Sequence, residues 1–174
     1  MDAAPWLDRS QLAAWVRVVS LLELLPADLD GQLRRDGGVT MFEYFVLAML
    51  SEAPDRTLRM SELAAQTNST LPRLSHVVRR MEDRGLVTRA PRPGDRRSTD
   101  ARLTELGFAH LEAAAPGHVV HVRRLVIDAL SPEQISQLTA IADALLARLD
   151  PDGAMAATYH RYDQAPSEQR RSTD

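Results

Sequence analysis

Between Leu71 and Arg84, Pro72, Arg73, Ser75, His76, Arg79 and Arg80 fall on one side of a helical repeat, and Leu71, Leu74, Val77, Val78 and Met81 fall on the other. Further on, Asp95-Arg-Arg-Ser-Thr-Asp100 carries Arg96 and Arg97 on a charged connection, with Arg92 beside them. Guanidinium groups grouped in this way suit multivalent attraction to a polyanion, because each can form paired hydrogen bonds to phosphate or to base edges. Covalent chemistry has no comparable support. The chain has no cysteine, which excludes disulfides and thiolate chemistry. It also has no nucleophile elbow, no phosphate-binding glycine loop and no His-Glu-x-x-His helix, and its acids are scattered, so no enzymatic function is expected.

The clustering matters more than any single residue, because all 21 basic side chains are arginine. Residues 56 to 102 hold 11 arginines against 5 acids, a net charge of +6, whereas the rest of the chain carries −9. A basic segment on an acidic body is the electrostatic footprint of a nucleic-acid-binding lobe on a separate platform.

The elements that position these groups follow from periodicity and punctuation. Leu12, Trp15, Val16, Val19 and Leu22 predict an amphipathic helix from Arg9 to Leu25, broken or kinked by Pro26, with a second short segment running to Gly37-Gly38. Thr40 and Glu43 form a capping box opening a helix from Phe42 to Ala53. Thr57 to Met60 reads as extended and Ser61 to Gln66 as a short helix. Asn68, Ser69 and Thr70 supply turn and N-cap chemistry for the helix from Leu71 to Arg84, with Pro72 in its first turn. Leu86 to Ala90 and Asp100 to Thr104 are the expected strands of a hairpin. A helix-turn-helix followed by a basic hairpin is a winged helix, a shape commonly used to hold duplex DNA, with Arg92, Arg96 and Arg97 within reach of a minor groove.

Thr104 should cap another helix, which Pro116-Gly117 bends or interrupts before Val119 to Leu130. Ser131 and Gln134 form a second capping box, opening a helix that buries Ile135, Leu138, Ile141, Leu145 and Leu149. Pro151 to Gly153 ends it, and the polar stretch to Asp174 reads as loop or disorder.

Over roughly residues 8 to 150 the chain resembles the MarR family of bacterial transcriptional regulators. The resemblance is sharpest in the wing, at Asp95, Arg97, Leu103, Thr104 and Gly107, and extends to Ser61-Glu-Leu-Ala64 and to Met81 through Val87. It implies a mainly α fold with a small β wing. One domain would span residues 1–150, with a DNA lobe at about 40–104, dimerisation helices at about 9–34 and 104–149, and a polar tail at 151–174. It further implies an obligate homodimer on a pseudo-palindromic duplex. By the same resemblance, Pro72, Arg73, Ser75 and His76 occupy the base-reading stretch; Ser69 and Thr70, at the start of that helix, are also expected to bind DNA. The resemblance also places Arg79 and Arg80 at phosphates, Arg97 in the minor groove and Asp95 as the residue that orients it, while Arg96, on the basic connection, is expected to add affinity by neutralising phosphate. Pro72-Arg73 departs from the small hydroxyl residues common there, so the operator sequence does not carry over.

Many relatives are repressors released by small aromatic or anionic ligands, which makes Trp15, Phe42 and Phe45 candidates for an effector crevice, although aromatic residues at helical spacing are usually core. His118 and His121, with His110 or Glu112 near them, lack the spacing for a full ligand set, so no metal or other cofactor is expected and the imidazoles should face solvent beside Pro116. Neither a basic leader nor an uninterrupted apolar span is present, so a soluble cytoplasmic protein is expected. The rival reading is a winged-helix module that binds another protein, since fold alone does not fix function. The clustered arginines argue against it.

Overall fold

Reciprocal capping sets three helix starts: Asp8 with Gln11, Thr40 with Glu43, and Ser131 with Gln134. The computed structural model describes residues 6–163, apart from the side chain of Arg96. The first helix, α1 (Arg9–Gly37), runs unbroken for 29 residues and ends at Gly38, whose φ of 61° is the left-handed stop. Of the break or kink expected at Pro26, the break does not occur. Proline removes one amide bond and crowds the turn before it, a local cost that the packing of Leu29, Gln32 and Leu33 beyond it outweighs.

The lobe that follows comprises α2 (Met41–Ser51), β1 (Thr57–Arg59), α3 (Met60–Gln66), α4 (Leu71–Asp83), β2 (Val87–Arg92) and β3 (Asp95–Leu103). The strands form an antiparallel sheet in the order β1-β3-β2, with Leu58 opposite Ala101 and Val87 opposite Leu103. Leu33, Val46, Leu47, Leu50, Leu63, Leu74, Val78, Met81 and Val87 are fully buried beneath it. Both wing strands are longer than the expected ranges, because pairing continues almost to the tip and only Pro93-Gly94 remains as the turn. Of the inward stripe expected on α4, Leu74, Val78 and Met81 are buried, whereas Leu71 in the first turn is exposed.

The Leu103-Thr104 and Gly107 motif has a physical basis. Thr104 donates its hydroxyl to the Gly85 carbonyl (2.7 Å) and accepts from the Gly107 amide (2.9 Å), so a single residue caps the next helix and ties it to the start of β2. Gly107 lies so close to the Leu86 carbonyl that a Cβ there would collide with backbone.

After the lobe come α5 (Glu105–Leu125), a 3₁₀ turn (Ile127–Ala129), α6 (Pro132–Leu149) and the single-turn α7 (Ala156–Tyr159). Pro116 lies inside α5 without interrupting it. The solvent-facing histidines expected near it face α1 instead. His118 is buried, its Nδ1 lies 3.2 Å from Gln32 Oε1, and its ring packs on Tyr44 with centroids 4.7 Å apart. His110 Nε2 lies 2.6 Å from the Gly37 carbonyl and His121 Nε2 lies 2.5 Å from Asp28. Helix α6 differs most from expectation. None of its residues is buried, and Leu138, Ile141 and Leu145 are 47%, 59% and 49% exposed. The stripe exists but is left uncovered among the described residues.

The tail after α6, expected as loop or disorder, folds back on the lobe as far as residue 163, and residues 164–174 lie outside the described residues. The Asp150 carboxylate accepts from the Ala154 and Met155 amides (2.8 and 2.9 Å). Thr158 donates to the Gln66 carbonyl (3.2 Å), and Arg161 pairs with Glu52 (2.5 Å).

Candidate nucleic-acid interface

Sequence builds the turn between α3 and α4 locally. Thr67 donates its hydroxyl to the Leu63 carbonyl (2.7 Å), Asn68 takes a φ of 46°, and the Ser69 amide donates to the Ala64 carbonyl (2.9 Å). Thr70 is the N-cap, its side chain accepting from the Arg73 amide (3.4 Å). Its hydroxyl therefore shapes the helix start. The Ser69 hydroxyl is likewise turned to backbone, donating to the Thr70 carbonyl (3.3 Å).

Beyond this cap Pro72, Arg73, His76, Arg79 and Arg80 are exposed on one face of α4, and Ser75 is half-buried. Arg73 carries its guanidinium over the Phe42 ring, 5.1 Å from the centroid, so α2 steadies it. Arg80 differs from Arg79. It donates to Glu43 (3.4 Å), a buried carboxylate that also caps the Thr40 amide (2.8 Å). With its side chain still 53% exposed, Arg80 can meet a polyanion only alongside that partner.

Two interactions set the wing's position. Glu82 on α4 takes Arg89 at three points, accepting from the backbone amide (2.9 Å), Nε (2.9 Å) and Nη2 (2.7 Å). These bonds hold the Glu82 carboxyl below the usual range and clamp β2 to the helix. At the tip, Asp95 accepts from the Ser98 hydroxyl (2.6 Å) and the Arg97 amide (3.1 Å), which also holds its carboxyl low. Asp95 thus shapes the backbone that carries Arg97 and makes no ion pair with the guanidinium. Arg92 is drawn across the hairpin to Asp100 (3.2 Å) with its side chain still partly exposed, so, like Arg80, it can meet a polyanion only alongside a carboxylate partner. Arg97 is exposed, whereas the Arg96 side chain lies outside the described residues.

Sequence reasoning missed Arg59. It stands at the end of β1 and lines a cleft with Ser75 and Arg97, which only the tertiary fold brings together. The aromatic set separates. Phe42 and Phe45 line an open apolar crevice of 500 Å³ with Pro26, Ala27, Asp30 and Met41, while Trp15 is 55% exposed on α1 and lines no part of it. No group of three or more metal-ligating side chains occurs among the described residues, nor is any helix there long and apolar enough to cross a membrane.

Comparison with known proteins gives this geometry a family. Residues 39–99 match the MarR family model. Sco3205, a MarR family regulator from Streptomyces coelicolor solved in complex with DNA, is 40% identical over 87% of this chain and 94% of its own, with a TM-score of 0.83. AbsC, another MarR family regulator of that organism, is 37% identical over 84% and 98%, with a TM-score of 0.80. The repressor IacR of Pseudomonas putida is 36% identical over 67 residues, and this chain matches only 39% of its length. With high identity across nearly the whole of two solved relatives and the same winged lobe, the chain belongs to the MarR family of transcriptional regulators.

Proposed function

We propose that the protein is a cytoplasmic repressor that binds a pseudo-palindromic operator as a homodimer. The two α4 helices would enter successive major grooves about 10 base pairs apart. The observation that carries this reading is the pairing of an exposed basic face on α4 with a wing clamped to it by Glu82 and Arg89, which leaves both elements presented together. The DNA complex of its relative Sco3205 supports it. The homodimer is supported by the uncovered apolar faces of α1, α5 and α6, where Trp15, Leu22, Val120 and Ile141 are more than half exposed.

Arg73 and His76 read bases in this account, while Arg79 and Arg97 supply affinity by neutralising phosphates and releasing counterions. Selection of bound duplexes from a random pool tests binding, symmetry and spacing together. On the selected site, Arg73→Ala should cost about 1–3 kcal/mol at one base pair and relax preference there, whereas Arg97→Ala should weaken matched and mismatched sites alike. Equal losses on both kinds of site for both variants would overturn the assignment.

The crevice beside Phe42 and Phe45 is the proposed effector site. A small aromatic anion there would touch the ring that carries Arg73, and would release DNA only insofar as it binds the released state more tightly. The same titrations repeated with a phenolic acid measure that difference, and unchanged affinity across such acids would remove the crevice from the account.

A further inference from the structure

The cleft between α4 and the wing, 270 Å³ in volume, is lined by Arg59, Ser61, Ser75, Arg89, Arg97 and Ser98. Arg89 is already committed to Glu82. Arg59 and Arg97 have no ion-pair partner among the described residues, and Asp95, the carboxylate whose titration feels Arg59, is occupied by Ser98 and the Arg97 amide. Arg59 is the N-cap residue of α3, yet its side chain makes no capping bond. Two guanidinium groups without an ion-pair partner among the described residues and two serine hydroxyls therefore line one concave site.

The location of the cleft indicates what fills it. If α4 lies in a major groove and the wing in the neighbouring minor groove, a sugar-phosphate strand must pass between them, over this cleft. We propose that the cleft seats one backbone phosphate of the duplex, held by Arg59 with the Ser61 and Ser75 hydroxyls and closed from the wing side by Arg97. This rests on the DNA-binding reading above and adds Arg59, a residue outside both the recognition helix and the wing, as a register-setting contact.

The test uses the full chain and the selected duplex, with affinity measured by fluorescence anisotropy between 50 and 200 mM KCl. Losing one phosphate contact in each of the two protomers should make the log-log salt slope of Arg59→Ala shallower by about 1.8, so that its deficit against the unmodified protein shrinks about 12-fold over that range. The deficit should be equal on matched and scrambled duplexes, and Arg59→Lys, which keeps the charge, should restore the slope. A neutral methylphosphonate moved along the backbone should find one position in each half-site that weakens the unmodified protein and leaves Arg59→Ala unaffected. An unmodified protein that binds duplex, with an Arg59→Ala slope equal to its own, would overturn this inference alone. An unmodified protein that binds no duplex would overturn the parent reading as well.

Discussion

The lobe from Val39 to Leu103 and the outer helices solve the burial of apolar side chains in opposite ways. In the lobe Leu47, Leu63, Leu74 and Met81 are fully buried within one chain, against a sheet whose register places Ala101 inward. In α6, and in the first half of α1, apolar stripes remain open. Amphipathicity sets which face of a helix is to be buried but leaves the covering surface unspecified. The lobe supplies its own cover, and the outer helices await a second copy in the dimer proposed above.

Substitutions in the two regions should therefore fail differently. The largest effect is expected from Leu145→Asp, which places a charge on the α6 stripe. It should convert the dimer to monomer in light scattering and abolish operator binding. By contrast Leu74→Ala should lower stability by about 2–5 kcal/mol through transfer and cavity costs alone. A Leu145→Asp protein that remains dimeric would show that α6 is not the shared face.

Next comes the seam between the regions. Gly107→Ala puts a Cβ against the Leu86 carbonyl, a collision with backbone that no rotamer relieves. A loss of about 1–3 kcal/mol in denaturant midpoints is expected, with the dimer preserved. Unchanged stability would mean that the start of α5 shifts freely relative to β2.

The smallest effect is expected at the α1–α2–α5 junction. Burial first, and the neighbouring His121 second, hold the His118 imidazole below its ordinary value. Tyr44 faces it from α2, Gln32 from α1 with Asp36 behind it (3.0 Å), and His121 from its own helix. As pH falls the unfolded chain takes up this proton first. The stability from neutral His118 is therefore complete above pH of about 6.5, and it declines on acidification until the folded group also titrates. The slope from one proton stays under about 1.4 kcal/mol per pH unit, and His118→Gln should remove it from melts between pH 7.5 and 5.5. An unchanged slope in that variant would place the acid sensitivity elsewhere.

Much of the interface was legible in the sequence because it is locally encoded. Thr70 caps α4, Pro72 occupies its first turn, and a 3.6-residue period separates Arg73 and Arg79 from Leu74 and Val78. Long-range pairings were not legible. The attachment of Arg80 to Glu43, the Arg92 bridge to Asp100 and the approach of Arg59 to Ser75 depend on packing angles that no sequence spacing expresses. The two interior prolines interrupt neither helix, because their cost is local while the compensation comes from distant helices. The folded segment after Asp150 was hidden for a similar reason, since a single turn has no periodicity and is held by Gln66 and Glu52 far back in the chain.

The sequence by itself determined the helix starts, the faces and the charge asymmetry, because caps, periods and composition act within a few residues or over whole segments. Only the tertiary structure decided which arginines stay available to a partner. An arginine's availability depends on whether folding brings a carboxylate within reach, and that depends on residues dozens of positions away.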